Sequence, residues 1–346
     1  MWYTTYGEIA VMEQNFYRVK GGVFRPFAVS AGVGSHKYSE LLERILTDFG
    51  SDVPFNRVPA KLKEHYGIDI PCSAPRSTTL KHAAAIRNLQ EKRRGKQSGS
   101  AKSCVVSETD GSMVPVVEID KQQKDKRKNK KIRYREARVT LARAKGSVTP
   151  IYSATFKNID ITGKHMSDCV KRVGVDKHSK IHCVGDGAPW IYEQVEKQFG
   201  TQATYLVDFY HVCEYLAAAA TTCGKEDPKK WLEAQKALLK VSGVEQVLRN
   251  LQPHIEPRNI VDADAPVRTC HRYMSNRKNQ LDYKTALSED LPIGSGEIES
   301  AHRHLIQIRL KIPGAWWLEG MAENMLALRT CRANNEWAGY WDKMAE

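Results

Sequence analysis

The 346-residue sequence contains no run of about 18 apolar residues, so a membrane-spanning helix is not expected. Its opening, Met1-Trp2-Tyr3-Thr4-Thr5-Tyr6-Gly7-Glu8, lacks a basic region followed by an apolar stretch, and a secretory leader is not expected either. There are eight cysteines: Cys72, Cys104, Cys169, Cys183, Cys213, Cys223, Cys270 and Cys331. No two of them form Cys-x-x-Cys, which argues against a zinc ribbon or a dithiol redox motif. Several sit in apolar contexts, such as Ile181-His182-Cys183-Val184, and read as buried free thiols in a reducing cytoplasm. No internal repeat is visible. Acidic residues are in deficit, with 40 Asp+Glu against 53 Lys+Arg, a net charge of +13. Such a field attracts polyanions, although charge alone does not choose between nucleic acid, membrane surfaces and acidic proteins. The length suits two or three domains.

Residues 1–35 read as a short extended segment, rich in aromatic and β-branched residues, with Gly21-Gly22 as a turn signal. Residues 37–49 are apolar at helical spacing, with Leu41, Leu42, Ile45, Leu46 and Phe49 on one face. A second helix is expected over 57–66, with Val58, Leu62 and Tyr66 inward and Gly67 as its stop. A third begins near 73–75 and runs to about Asn88. This is a helix-turn-helix pattern over residues 36–90, with Arg76, Ser77, Thr78, Lys81 and His82 expected to face a DNA groove; a plain three-helix bundle fits the same pattern. Residues 91–103 read as a linker. A basic tract, 121–135, reads as a long solvated loop.

From Cys104 the texture changes. Strands are expected over 104–109, 113–119, 136–144 and 148–156, as an antiparallel meander. A helix at 164–173, a strand at 180–185, a helix at 191–199 and a strand at 204–208 follow. That order describes an α/β fold of the ribonuclease H-like kind, with its first part at 104–211. Residues 212–290 break the alternation and read as an all-α insertion, with helices at 212–223, 228–241, 244–251 and 265–281. Residues 291–333 return to the core as helices, one of them at 318–332, and 334–346 read as a tail.

Three places carry carboxylates suited to chemistry. Asp110 lies in Glu108-Thr109-Asp110-Gly111, at the end of a strand; Asp186 ends the apolar strand Cys183-Val184-Gly185; and Gly294-Ser295-Gly296-Glu297-Ile298-Glu299 opens a helix. Asp-Gly is also a common turn, and a Glu in a first helical turn also answers the helix dipole. Taken together, the three can converge, and clustered carboxylates call for hard divalent cations, Mg²⁺ or Mn²⁺. The apolar stripe of Ile298, Ala301, Leu305, Ile308 and Ile312 places Glu297 nearer its centre than Glu299, so periodicity does not favour Glu299.

The stretch Leu291-Pro292-Ile293-Gly294-Ser295-Gly296-Glu297-Ile298-Glu299-Ser300, with Gln307-Ile308-Arg309-Leu310-Lys311, Gly314 and Trp316-Trp317, resembles the DDE transposases of bacterial insertion sequences, the ISKra group related to Mutator-like enzymes. So do Val184-Gly185-Asp186-Gly187-Ala188-Pro189-Trp190, Val207-Asp208-Phe209-Tyr210-His211-Val212 and the shorter Thr109-Asp110-Gly111. The resemblance spans about residues 36–332. It implies that Asp110, Asp186 and Glu299 form a catalytic triad holding two Mg²⁺ or Mn²⁺ ions, that His211 occupies a DxxH position, and that Arg309 and Lys311 hold DNA phosphates. It implies double-stranded DNA as partner, both terminal repeats and target, with a homodimer or higher oligomer on DNA, in the bacterial cytoplasm at the nucleoid. Relatives carry more sequence before the helix-turn-helix, a departure that bears on recognition of the element's ends. Two other readings fit the same residues: a ribonuclease H-like nuclease or resolvase that cuts without joining, and a non-catalytic, decayed DNA-binding protein.

Overall fold

The computed structural model describes every residue except 1, 18–20, 31–37, 97–98, 121, 124, 126–127 and 346. Parts of the expected linker and basic tract therefore lie outside the described residues. Near the start are two small antiparallel ladders, β1 (Trp2–Thr4) with β2 (Gly7–Ile9) and β3 (Phe16–Tyr17) with β4 (Val23–Phe24). A short helix, α1 (Pro26–Ser30), interrupts the expected extended segment. The Glu13 carboxylate accepts from the Phe27 and Ala28 amides, two donors that a helix start leaves without partners.

Three helices follow as expected: α2 (Glu40–Asp52), α3 (Val58–Tyr66) and α4 (Ser73–Arg93). Ser39 caps α2 by accepting from Leu42 N, and Gly67, at φ +65°, ends α3 with its N–H on Lys63 O. Helix α4 runs beyond Asn88 because neither Gly nor Pro occurs before Gly95.

The long strands β5 (Cys104–Ile119) and β6 (Lys130–Ala144) come next, then β7 (Ile151–Thr155), α5 (Ile159–Val173), β8 (Lys180–Gly185), α6 (Pro189–Phe199) and β9 (Ala203–Val207). Strand β5 continues through Asp110-Gly111, where two strands had been expected, and β6 takes in residues 130–135 of the tract expected to be a loop. The sheet order is β7-β6-β5-β8-β9, with β6–β7 antiparallel and β5–β8 and β8–β9 parallel. The fold is thus mixed α/β with a mixed central sheet. Strand β8 is buried from Ile181 to Gly185, the mark of a strand covered on both faces.

Five helices follow: α7 (Phe209–Cys223), α8 (Pro228–Lys240), α9 (Val244–Leu251), α10 (Pro266–Ser275) and α11 (Tyr283–Ser288). The single helix expected over 265–281 is in fact α10, a short 3₁₀ turn and the start of the approach to α11. Then come α12 (Gly296–Ala301), a π-helical stretch (His302–Gln307), α13 (Ile308–Leu310), α14 (Glu319–Ala333) and α15 (Trp337–Ala345). The expected tail is therefore largely helix, because Trp337, Tyr340 and Trp341 share one helical face, with Tyr340 and Trp341 buried. Among the described residues no helix is long and apolar enough to cross a membrane.

The chain divides into two compact units. One comprises residues 1–94, 113–137 and 303–346. Its core gathers Leu42, Leu46, Val58 and Leu62, while Leu41 and Tyr66, both expected inward, are exposed. Helix α4 packs between α2 and α14. This closure explains why Thr78 and His82 are buried and do not face outward as expected; Arg76, Ser77 and Lys81 remain exposed. His82 Nε2 stands 2.8 Å from Glu43 Oε2, its Nδ1 is 2.6 Å from Tyr340 Oη, and Lys81 Nζ reaches the same carboxylate at 2.9 Å. The other unit, residues 95–112 and 138–302, holds the parallel strands and α5–α12. One apolar cluster runs from Val105 and Ile181 in the sheet to Leu216, Leu248 and Met274 in the helical block, so that block shares the sheet's core.

Two outcomes test the first unit's packing. Burial raises the Glu43 carboxyl, but hydrogen bonds from His82 and Lys81 outweigh it and leave it below its ordinary value. Such a group stabilises the fold above its unfolded pKa, and that contribution fades as pH falls through the lower folded value. Urea unfolding between about pH 6 and pH 3 should therefore show a shallower loss of stability in Glu43→Gln than in the wild type. In Gly50→Ala, the new methyl would overlap the Thr79 hydroxyl and stand 3.1 Å from Thr79 Cβ. Overpacking of a β-branched neighbour should cost about 1–3 kcal/mol in the same assay.

Candidate acidic site at the strand ends

In each of the second unit's three parallel strands an aspartate comes just after the last residue of the parallel ladder. The ladder pairs Glu108 with Val184 and Gly185 with Val207. Two residues further on β5 is Asp110, two beyond Val184 is Asp186, and one beyond Val207 is Asp208. Asp110, Asp186 and Asp208 thus follow the last paired residues of the parallel ladder at equivalent positions, on three strands that are adjacent in the sheet.

Each aspartate has different partners. Asp110 Oδ1 accepts from Gly111 N at 2.7 Å, and its Oδ2 lies 3.1 Å from His302 Nε2. That contact has ion-pair distance without hydrogen-bond alignment, and both nitrogens of the buried His302 ring lack a hydrogen-bond partner. Asp186 Oδ1 accepts from Ala188 N, folding the Asp186-Gly187 turn back on itself. Asp208 is buried and fully engaged: it accepts from Tyr210 N, His211 N, Ser295 N and Ser295 Oγ. It thus caps α7 and ties down the segment that leads into α12.

Helix α12 is held to β5 by a buried carboxylate. Glu108 Oε2 accepts from Ile298 N at 2.9 Å. Burial, with Glu297 and Asp208 nearby, pushes the Glu108 carboxyl up to about 7, against the opposing pull of the Ile298 N–H and Arg143. Glu297 is paired with Arg143 of β6 at 2.7 Å. Glu299 is exposed and stands three residues before His302, so the two share a helical face. His302 reaches Asp110, while Glu297 is occupied by Arg143.

The helical block supports the Asp186 turn. Tyr273 Oη donates to Asp186 O at 2.5 Å, and Arg277 Nε donates to Gly187 O at 2.7 Å. The Arg277 guanidinium lies 4.0 Å from the Tyr273 ring, which stacks on Tyr215. Gly187 has φ +85°, and a Cβ there would meet Tyr273 Oη and the Arg277 side chain. Asp208, Glu108, His302, Tyr273 and Arg277 escaped the sequence reading as site residues. Only Asp208 left a signal, an Asp directly before a helix start. His211, also expected at the site, is part-exposed, with its Nδ1 3.4 Å from Glu214.

Three carboxylates offer only oxygen donors, which suit Mg²⁺ or Mn²⁺, so the donor chemistry fits. Among the described residues, however, no three His, Cys, Asp or Glu side chains are gathered as a ready metal cluster. In the other unit, Arg309 is buried, Lys311 is partly exposed and Arg76 is exposed, with Nη2 3.5 Å from Met321 Sδ.

Residues 118–339 match a family described as Uncharacterised protein family (UPF0236), more than half of the chain. The chain belongs to that family. Asp186 and Glu299 lie within the matched region of this UPF0236 chain, and Asp110 lies before it. No curated protein matches it. Among solved structures it is similar to a chain of a "Drosophila P element transposase strand transfer complex", at TM-score 0.32 and 10% identity, over 91% of this chain and 83% of that one. A likeness at that level carries no argument about fold or activity.

Asp208→Ala strips acceptors from three buried or part-buried amides at once. It should cost about 2 kcal/mol or more in chemical denaturation, and Asp208→Asn should cost less.

Proposed function

We propose that this UPF0236 chain is a DDE-type transposase that cuts and rejoins DNA with Asp110, Asp186 and Glu299. The observation that carries the reading is the parallel ladder, beyond whose last pair, Glu108 with Val184, Asp110 and Asp186 each follow by two residues, with the helix that bears Glu299 tethered to the Asp110 strand through Glu108 and His302. The sheet order supports a ribonuclease H-like core: three successive strands, then helix and strand in alternation. The motif resemblance over 291–317 supports the same class, and the +13 charge suits a polyanionic partner.

In this reading Asp110, Asp186 and Glu299 would hold divalent cations, whose chemistry when bound would be activation of a water or hydroxyl group and charge relief at the departing oxygen. The chain's own residues do the rest. Glu108 keeps α12 at the strand, Tyr273 and Arg277 stiffen the Asp186 turn, and Asp208 holds the Ser295 segment. No covalent protein–DNA intermediate is required, so no nucleophilic Ser or Tyr is assigned. The exposed Arg76 and Lys81, with His211 and Lys311, are proposed to contact DNA. Joining two element ends calls for a dimer or higher oligomer on DNA.

The test is a strand-joining assay with Mg²⁺ or Mn²⁺ and oligonucleotides taken from the DNA that flanks the gene. Asp110→Asn, Asp186→Asn and Glu299→Gln should each lower joining by roughly 100-fold or more, while Glu297→Gln keeps most of it. Mn²⁺ binding by calorimetry should weaken in the same three variants. Cutting without joining would assign a nuclease instead. DNA binding with no cleavage, unaltered in Asp186→Asn, would leave a non-catalytic DNA-binding protein.

A further inference from the structure

The first unit contains a cavity of about 350 Å³, lined by Phe55, Arg57, Arg76, Arg309, Trp316 and Trp317 among others. Among the described residues its lining has three arginines and no carboxylate. Arg309 is the unusual member. It is 2% exposed, and its guanidinium lies between two aromatic rings, 4.5 Å from the Phe55 centroid and 4.8 Å from that of Trp317. Its Nε donates to Gly50 O at 3.1 Å, but its Nη2 is buried without any hydrogen-bond partner. A buried cationic donor left without an acceptor is rare and costly in a folded protein. Burial and the neighbouring Arg329 push this guanidinium down to about 10, so it remains a cation at neutral pH. Beside it, Trp316 is a large aromatic left 56% exposed, with Lys130 Nζ 5.0 Å from its ring.

These features match one ligand chemistry. A planar apolar face is offered by Trp316, an acceptor is demanded by Arg309 Nη2, and negative charge is favoured by Arg57 and Arg76. The volume is at the small end of the range for ligand pockets, about 300–1,000 Å³. It admits one nucleotide and excludes a duplex. We propose that this cavity is a nucleotide subsite, with a base stacked on Trp316 and an acceptor of the base or its phosphate taken by Arg309 Nη2. The nucleotide is either an unpaired residue of a DNA strand or a free nucleoside phosphate. Only the first source rests on the DNA-processing function proposed above.

The experiment uses 2-aminopurine, whose fluorescence is quenched by stacking. The full-length protein is titrated with 2-aminopurine riboside triphosphate, with a duplex carrying one unpaired 3′ 2-aminopurine nucleotide, and with the same duplex carrying an abasic overhang, the last two also followed by anisotropy. For a strand nucleotide, the overhang is quenched and binds roughly tenfold or more tightly than its abasic counterpart. Trp316→Ala removes both effects while blunt-duplex binding persists, and Trp316→Phe restores part of them. For a free nucleotide, the triphosphate is quenched and the overhang is not, with the same dependence on Trp316. Arg309→Met should weaken either ligand; because Arg309 is buried, the exposed Arg57→Ser serves as the second variant, with a smaller loss in the same direction. The proposal is overturned if neither probe is quenched, or if quenching is unchanged in Trp316→Ala. Blunt-duplex binding, measured alongside, reports separately on the DNA reading: its loss with triphosphate quenching intact would sink that reading and leave the subsite standing.

Discussion

The parallel ladder that joins Val105–Glu108 to Ile181–Val184, and the latter to Ala203–Leu206, frames the candidate acidic site. A strand's side chains alternate between faces, so a slip of one residue would put Asp110 and Asp186 on opposite sides of the sheet's register. The register is held because β8 is buried on both faces, with Ile181, Cys183 and Val184 locked into the core. Parallel strands leave their C-terminal ends open beyond the ladder. Asp186 and Asp208 follow those ends, and Asp110 follows the last residue of β5 that pairs with β8.

Around that ladder the chain keeps several polar groups in costly places. Glu108 is almost wholly buried, and its raised pKa reflects that cost, offset in part by the Ile298 N–H and by Arg143. Asp208 is buried too, but four hydrogen bonds satisfy it. His302 and Arg309 lie seven residues apart in one helical run, and each is buried with donors unmatched. The π-helical stretch begins at His302, and an extra residue per turn shifts every later side chain around the helix axis. Strain and unsatisfied polar groups of this kind concentrate where a protein binds something, and here they coincide with the stretch richest in recognisable motif.

Much of the architecture could be read from the chain. Gly67 and the period of Leu42, Leu46, Val58 and Leu62 marked the first two of the three N-terminal helices, because a glycine stop and apolar periodicity are local properties. The alternation of β7, α5, β8, α6 and β9 was legible for the same reason. Errors arose where local signals were overruled by packing. Asp110-Gly111 looks like a turn and is mid-strand, because β5 and β6 are long enough to carry the chain through it. The basic residues 130–135 look like a solvated loop and are strand, since β pairing tolerates long cationic side chains that extend into water.

For the site, the sequence by itself supplied the acidic candidates, Asp110, Asp186 and the Glu297/Glu299 pair, and the cationic excess. Chemistry and motif reside in residue types and their spacing along the chain. Only the tertiary structure showed that Glu297 is paired and that Asp110 meets a histidine, since the contacts, Arg143 to Glu297 and His302 to Asp110, join residues 154 and 192 positions apart. It alone brought Glu108 to Ile298, Tyr273 to the Asp186 turn, and Phe55 and Trp317 to either side of Arg309. No periodicity encodes such meetings. They exist because folding closes long loops, and which side chains then face each other depends on strand register and helix rotation summed over the whole unit.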